Sequence, residues 1–175
     1  GAGCARADRG PPRLPPQSVA MELNNETIDT PPRDAASVVM LRDGATGLEV
    51  LLMRRHTDSA VLGGAYVFPG GKVDAADTAP DMLARLDRSP GELHARLGEP
   101  DLTPEQAAAF FVAAAREAAE ESGLLLLQRG DTEIALHSAD ACTRLRAGES
   151  LAALLAAHGA RLDTDALAPW SRWIT

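Results

Sequence analysis

A mixed α/β fold is predicted for this 175-residue chain by three features. The β-type runs Ser37–Leu41 and Leu48–Met53 flank residues 42–47, which are rich in turn formers, so we expect a hairpin. A further β-type run, Ala65–Phe68, leads into a predicted turn at Gly70–Gly71. A long helical pattern covers residues 103–123, and the apolar run Leu124–Leu127 directly after it predicts a buried strand.

Composition narrows the possible classes of protein. Hydrophobic residues make up 45% of the chain, which suits one folded domain with a real core. The net charge of -8 and the pI near 4.9 disfavour binding to nucleic acid or to an anionic membrane. Two cysteines without a Cys-x-x-Cys pair favour a reducing compartment, so we expect a cytoplasmic protein. No apolar run approaches the roughly 18 residues of a membrane span.

The N-terminal region is predicted to lie outside the folded domain. Residues 1–34 are rich in proline and poor in apolar side chains, which is typical of a disordered tail. Gly1 is not an initiator whereas Met21 is a candidate start, so we interpret residues 1–20 as vector or upstream reading-frame sequence. The domain is expected to span residues 35–175.

The long helix carries its own start and stop signals. Thr103 and Gln106 match a capping box, with Pro104 at the first helical position, and Gly123 suits the helix end. A stripe of apolar residues predicts the face that packs on a sheet. That stripe contains Phe111, Ala115 and Ala118.

Three carboxylates occupy the last two turns of this helix. Glu117, Glu120 and Glu121 stand at i, i+3 and i+4, so they project from one face. The helix dipole favours cations at this end, and like charges one turn apart repel, so local rules alone do not explain the cluster. Because hard oxygen donors suit Mg²⁺ or Mn²⁺, a metal site is the functional hypothesis and a solvated charged face is its alternative. Arg116 is expected to pair with Glu120.

Together with an upstream glycine-rich element, this stretch resembles the signature of the Nudix hydrolase family. The signature is a glycine, an acid six residues later, and then Arg-Glu-apolar-x-Glu-Glu-x-Gly-apolar. Here these positions are Gly71, Asp77 and Arg116–Leu124. The chain departs from the pattern in having Asp77 in place of Glu and in placing 38 residues between Asp77 and Arg116. An insertion at about residues 79–102 accounts for the spacing.

The insertion is predicted to form two short amphipathic helices, Asp81–Leu86 and Glu92–Leu97, at the rim of the site, where it would shape substrate choice. Residues 138–159 are predicted to be helical. The segment Ala168–Thr175, which contains Trp-Ser-Arg-Trp, is predicted to be a strand because its character alternates.

Within the Nudix family, the chain looks most like the subfamily that has a long insertion in its signature and a later Trp-Ser-x-Trp segment. This is the peroxisomal coenzyme A diphosphatase type, with its bacterial relatives. The resemblance implies an α/β/α sandwich with a mixed sheet. It also implies a strand and a covering helix after the Trp segment, so we expect a domain truncated at its C-terminus and a sheet with an exposed apolar face.

The resemblance implies a metal-dependent pyrophosphohydrolase. Such an enzyme cleaves the diphosphate of a nucleoside diphosphate linked to another moiety, here with coenzyme A or an acyl-CoA as candidate substrate. Mg²⁺ or Mn²⁺ would be held by Glu117, Glu120, Glu121 and the carbonyl of Gly71. Glu120, Glu121 and Arg116 are the implied catalytic residues, with Arg116 orienting a carboxylate. The general base stays open between Glu120 and a residue on a later loop.

Substrate contacts are expected from four further residues, which are Arg54, Arg55, Gly70 and Lys72. The expected partner is a small nucleoside diphosphate derivative, and a homodimer is expected because many relatives are dimers. Two alternatives remain at this stage: a Nudix-fold nucleotide-binding or regulatory module without hydrolysis, and an alanine-rich scaffold whose acids are fortuitous. The complete trio of helix carboxylates favours the hydrolase over the binding module, and the scaffold differs from both in predicting no metal binding.

Overall fold

A computed structural model of the protein describes residues 31–55, 57 and 64–173. Most of the predicted tail and the last two residues of the predicted terminal strand lie outside the described residues. The strands are β1 Ala35–Ser37, β2 Leu41–Gly44, β3 Gly47–Val50, β4 Met53–Arg54, β5 Tyr66–Val67, β6 Gly70–Lys72, β7 Leu124–Arg129, β8 Thr132–His137 and β9 Arg161–Leu162. The helices are a 3-10 helix Ala75–Thr78, α1 Pro80–Leu83, α2 Pro90–Leu97, α3 Pro104–Ser122, α4 Ala139–Arg146 and α5 Leu151–Ala157.

The strands pair in short antiparallel groups. In the described part of the chain, β1 pairs with β6, β2 with β3, and β4 with β5, while β7 lies between β8 and β9. Leu86 adds a parallel bridge to Leu162, so this last sheet contains both strand directions at its edge. The predicted α/β class is therefore confirmed.

Helix α3 is the centre of the core and has the predicted bounds. The Thr103 hydroxyl accepts from the Gln106 N–H at 3.2 Å, and the Gln106 side chain accepts from the Thr103 N–H at 2.8 Å, which completes the capping box. Gly123 ends the helix with a φ of 75°, a left-handed conformation that glycine adopts without strain. Ten of the 19 residues of α3 are buried, and they include the predicted stripe. The abundance of alanine lets neighbouring elements approach this helix closely.

The insertion is part of the core and not only a rim of the site. Both predicted helices are present, as α1 and α2, and α2 packs along α3. Met82, Leu86 and Leu93 from the insertion are buried in the main hydrophobic cluster. The backbone of Leu162 donates to the Arg85 carbonyl at 2.7 Å and accepts from the Asp87 N–H at 3.2 Å. The insertion thus supplies both helical packing and an edge to the β7–β9 sheet.

Three local predictions are corrected. The loop expected at residues 42–47 is a two-residue turn, because β2 extends to Gly44 and β3 begins at Gly47. An ion pair between Arg42 and Glu49 joins the two strands. The turn expected at Gly70–Gly71 is strand β6, since the β1 backbone pairs with it. Residues 168–173 form no strand, because an alternating sequence alone supplies no neighbouring strand for hydrogen bonds. Trp170 in this segment is 97% exposed.

Two strands, β8 and β9, and two helices follow β7 in the second half of the fold. Strand β8, which the sequence analysis missed, pairs with β7 along its whole length. The helical region predicted at residues 138–159 is confirmed as α4 and α5, separated near Gly148. No helix among the described residues is long and apolar enough to cross a membrane.

Apolar side chains are exposed on the N-terminal strands. Leu41 lies opposite Val50, and together with Leu48 they project from one face of the β2–β3 hairpin. All three side chains are exposed, as are several on neighbouring segments. These neighbours are Val39, Leu51, Leu52, Tyr66 and Phe68.

If the insertion is an integral part of the core, Leu93→Ala should lower the free energy of unfolding by about 2–5 kcal/mol, because it leaves a cavity between α2 and α3. Leu93 is 0% exposed. Denaturant unfolding would measure the change. Leu48→Ala is the matched control, since Leu48 is 66% exposed and its truncation should alter stability by less than about 0.5 kcal/mol. Equal effects of the two substitutions would contradict this account of the insertion.

Candidate active site

The two halves of the sequence signature meet where the end of α3 packs against β6. The Gly70 N–H donates to Glu121 Oε2 at 3.1 Å. A Cβ built on Gly71 would overlap the Glu117 carboxylate, so the absence of a side chain at residue 71 lets this carboxylate lie against the strand. β6 is held in place by β1, in which Ala36 stands opposite Gly71. The structure thus brings together the glycines and two of the three predicted helix carboxylates.

A buried ion pair joins Arg116 to Asp77. The Arg116 side chain is 10% exposed and donates from Nε to Asp77 Oδ1 at 2.9 Å and from a terminal nitrogen to Asp77 Oδ2 at 3.1 Å. A second bond, from the same terminal nitrogen to the Lys72 carbonyl, is 2.8 Å long. Because a planar guanidinium offers a fork of donors, one side chain can bind the carboxylate and the strand together. Arg116 therefore links α3 to β6 and to the 3-10 helix.

Arg116 also holds two of the helix carboxylates. Its other terminal nitrogen donates to Glu117 Oε1 at 2.9 Å and to Glu120 Oε1 at 3.2 Å. The predicted pairing of Arg116 with Glu120 is present, and the bond to Glu117 accompanies it. Burial alone would lower the pKa of Arg116, but its bonds to Asp77, Glu120 and Glu117 outweigh burial and raise it above the ordinary value. The guanidinium therefore stays charged.

The environment of Glu117 disfavours its negative charge. Burial raises the pKa of Glu117, and the nearby carboxylates Glu120 and Glu121 raise it further, while Arg116 opposes the shift. The site thus gathers more negative charge than its arginine neutralises. A bound cation would offset this excess.

Asp77 has a role that the sequence did not reveal. It is 1% exposed, and its Oδ2 also accepts from the Asp74 N–H at 2.8 Å, closing the start of the 3-10 helix. The signature identified the position, but the burial of Asp77 and its bonds to Arg116 follow from the fold alone. The shorter aspartate reaches Arg116 because the 3-10 helix carries it there.

Helix α4 supports the end of α3 from the other side. The Glu120 carbonyl accepts from Arg146 Nε at 2.7 Å and from the Cys142 thiol at 3.0 Å. This carbonyl belongs to the last turn of α3, where no intrahelical N–H is left to bond it. The positive charge of Arg146 also suits the negative end of the helix dipole. The backbone that carries the carboxylates is therefore anchored at this point.

The carboxylates fit a hard divalent cation by their chemistry. Among the described residues, no group of three aspartate, glutamate, histidine or cysteine side chains is gathered closely enough to share an ion. Arg116 holds Glu117 and Glu120, while Gly70 holds Glu121. Oxygen donors of this kind suit Mg²⁺ or Mn²⁺.

The other predicted substrate contacts lie on β4 and β6. Arg54 is exposed on β4, where its backbone pairs with Tyr66, and the Arg55 N–H donates to the Ala65 carbonyl at 2.9 Å. The backbone carbonyl of Lys72 accepts a hydrogen bond from Arg116, and Lys72 itself is exposed. The roles of Arg54, Arg55 and the Lys72 side chain in binding a substrate stay predictions.

Comparison with known proteins supports the relationship that the signature indicated. No protein-family model matches the sequence. The acyl-coenzyme A diphosphatase NUDT19 of Gallus gallus is 34% identical over 126 residues, which are 56% of this chain and 33% of that protein. The protein of the same name from Homo sapiens is 34% identical over 104 residues, which are 48% of this chain and 28% of that protein. The chain thus spans about a third of the length of the curated relatives it matches.

A solved structure shows the same fold. The crystal structure of a NUDIX hydrolase from Alicyclobacillus acidocaldarius superposes with a TM-score of 0.60 and 33% identity, covering 78% of this chain and 59% of that one. In fold and in sequence the chain is therefore similar to a Nudix hydrolase, and the contact between the two signature halves agrees with this similarity. It is also similar to the acyl-coenzyme A diphosphatases, as the insertion and the Trp-Ser-Arg-Trp segment predicted.

Removal of Asp77 should be far more harmful than removal of its neighbour Asp74. Asp77→Ala leaves the buried Arg116 charge without its main partner, so the free energy of unfolding should fall by about 3–5 kcal/mol. Asp74 is 65% exposed and lies 3.7 Å from Arg116, so Asp74→Ala should cost less than about 1 kcal/mol. Denaturant unfolding of the two variants measures the difference. Similar costs would show that the Arg116–Asp77 pair does not anchor the site.

The close contact at Gly71 gives a second stability test. Gly71→Ala forces the Glu117 carboxylate away from β6 and should lower the free energy of unfolding by about 1–3 kcal/mol. Gly91→Ala is the matched control, because Gly91 lies in α2 with open space around its Cα and alanine favours a helix. Thermal unfolding should show a lower midpoint for Gly71→Ala and an unchanged or higher one for Gly91→Ala. An unchanged midpoint for Gly71→Ala would refute the close packing of Glu117 on the strand.

Proposed function

We propose that this chain carries the catalytic site of a metal-dependent pyrophosphohydrolase. Its substrate would be a nucleoside diphosphate linked to another moiety, cleaved at the diphosphate. The observation that carries the proposal is the contact between the carboxylates of α3 and the Gly70–Gly71 backbone, held in register by the buried Arg116–Asp77 pair. Similarity to a Nudix hydrolase and to acyl-coenzyme A diphosphatases supports hydrolysis of a phosphoric anhydride bond as the reaction.

Each residue of the site has a defined task in this proposal. Glu117, Glu120 and Glu121, with the Gly71 carbonyl, would hold Mg²⁺ or Mn²⁺. The ion, when bound, offsets charge on the phosphate oxygens and lowers the pKa of the attacking water. Because Gly71 has no side chain, the Glu117 carboxylate lies against the strand that carries this carbonyl.

Arg116 has a positioning role in this scheme and does not touch the substrate. Its bonds to Asp77 and to the Lys72 carbonyl fix the guanidinium, so the guanidinium can set the orientation of the Glu117 and Glu120 carboxylates. Preorganised charge of this kind supplies most of the catalysis in phosphoryl transfer. Arg54, Arg55 and Lys72 are proposed to contact the phosphates as cations.

Coenzyme A or an acyl-CoA is the substrate that we favour. The support comes from the names of the curated relatives, which are acyl-coenzyme A diphosphatases. Because the chain spans only part of those relatives, we propose the substrate separately from the reaction class.

A nucleotide-binding module without hydrolysis is the second candidate. The observation that favours it is the engagement of Glu117 and Glu120 by Arg116, which leaves no ready-made group of three carboxylates among the described residues. Such a module would bind a nucleoside diphosphate derivative and release it unchanged. Product release separates the two candidates.

The hydrolase proposal predicts that Glu120→Gln abolishes cleavage. Product release would be measured with coenzyme A, NADH and ADP-ribose in the presence of Mg²⁺ or Mn²⁺. Loss of one metal-binding carboxylate should reduce turnover by about 100-fold or more, because charge stabilisation at the reacting phosphate is the main source of catalysis. Glu133→Gln on β8 is the control, since Glu133 is exposed and outside the site.

Two outcomes would contradict this proposal, the first by overturning the assigned site and the second by overturning the reaction. Metal-dependent cleavage that survives Glu120→Gln would remove the helix carboxylates from the mechanism. Binding of the same compounds by the wild-type chain without any cleavage would favour the binding module. Unfolding curves of Glu120→Gln and Glu133→Gln would show that lost activity does not reflect lost structure.

A further inference from the structure

The last turn of α3 is bonded in part by side chains, which replace the usual helical N–H donors. The Gly123 N–H still donates to the Ala119 carbonyl at 2.9 Å. The next N–H along the chain, that of Leu124, donates instead to the Ser122 hydroxyl at 3.3 Å. In a continuous helix this N–H would have bonded the carbonyl of Glu120, four residues earlier. The Glu120 carbonyl therefore needs a donor from outside the helix.

Two side chains of α4 supply donors to this carbonyl, and they differ in strength. Arg146 donates from Nε to the Glu120 oxygen at 2.7 Å, and the Cys142 thiol donates to the same oxygen at 3.0 Å. A hydrogen bond from a charged donor is roughly twice as strong as one between neutral groups, whereas a thiol is a weak donor. Arg146 is therefore the main support of the Glu120 carbonyl.

The contact with Glu120 is the distinctive feature of the Arg146 side chain. Arg146 is exposed, and in the described part of the chain it makes no ion pair and no second hydrogen bond. Neither burial nor pairing with a carboxylate therefore explains its placement. Its polar contact is with a residue that belongs to the proposed metal site.

Glu120 is thus held by an arginine at each end of the residue. Arg116 donates to its carboxylate at 3.2 Å, while Arg146 holds its backbone carbonyl. An oxygen that binds a small divalent ion has to be placed accurately, because Mg²⁺ demands near-ideal geometry at about 2.0–2.1 Å. The carboxylate can meet that demand only if the backbone that carries it is also fixed.

We propose that Arg146 is a positioning residue for the metal site and acts through the backbone of Glu120. This inference rests on the proposed function, because it assigns a further residue to the site that would hold the ion. Residues that orient metal ligands typically contribute about 10- to 100-fold in metal affinity. The charge of Arg146 has the opposite effect, because a positive charge near the site repels the ion. The hydrogen bond and the charge are therefore distinguishable by the sign of the change.

Two substitutions of Arg146 separate the hydrogen bond from the charge. Glutamine places an N–H donor as many bonds from the backbone as arginine Nε, whereas methionine has a similar length and no donor. Both substitutions remove the positive charge. Mn²⁺ binding without substrate would be measured from the EPR signal of the free ion. The dissociation constant should rise about tenfold in Arg146→Met and stay within about threefold of the wild-type value in Arg146→Gln.

Arg161→Met is the matched control, because it removes the same charge from an exposed residue of β9. Arg161 pairs with Gln128, which lies along β7 from Leu124 by about 13 Å at roughly 3.3 Å per residue. At this distance salt screens most of the charge, so the dissociation constant for Mn²⁺ should change by less than about twofold. Thermal unfolding of the three variants would fix a temperature at which each is folded, so that weaker binding does not reflect lost structure.

Three results would overturn the positioning role. These are unchanged or tighter Mn²⁺ binding by Arg146→Met, equal weakening in Arg146→Met and Arg146→Gln, and equal weakening in Arg146→Met and Arg161→Met. Absence of Mn²⁺ binding by the wild-type chain would overturn the metal site and this inference with it. Failure of the hydrolase proposal alone is distinguishable, because it would appear as absent cleavage in a protein that still binds Mn²⁺ and loses affinity on Arg146→Met.

Discussion

The buried guanidinium of Arg116 is the interaction on which the candidate site depends. A charge removed from water is stable in a fold only when ionic and hydrogen-bonding partners surround it, and removal of one partner is costly. Asp77 supplies the main partner, while the Lys72 carbonyl and two helix carboxylates complete the set. Because these groups come from the 3-10 helix, β6 and α3, the charge of Arg116 fixes their relative positions.

Helix α3 joins this site to the core. Its alanine-rich surface packs against α2, α4 and β7, while its last two turns carry the carboxylates. The anchoring of the Glu120 carbonyl by Arg146 and Cys142 holds the end of the helix to α4. Displacement of the core elements would therefore displace the carboxylates as well. This coupling explains why the insertion, through Leu93, contributes to the stability of the helix that carries the chemistry.

The insertion has two consequences at once. Its helices complete the hydrophobic core and add Leu86 to the edge of the β7–β9 sheet. The same region also lines a cleft beside Arg116 and Glu120, through Met82 and Asp81. An element that separates the two halves of the signature in sequence thus supports the core and lies beside the site in space.

The features of this protein that depend on local chemistry were predictable from its sequence. The capping residues of α3 are neighbours along the chain, and the carboxylates share a face because of helical spacing, so Thr103, Gly123 and the Glu117–Glu121 cluster were predictable. The motif also predicted the similarity to Nudix hydrolases. Tertiary structure decided what depends on long-range contacts. Strand β6 exists because β1 pairs with it, the Trp170 segment is not a strand because alternation provides no partner, and Asp77 became the buried partner of Arg116. These outcomes require residues far apart in sequence to meet, and no local pattern carries that information.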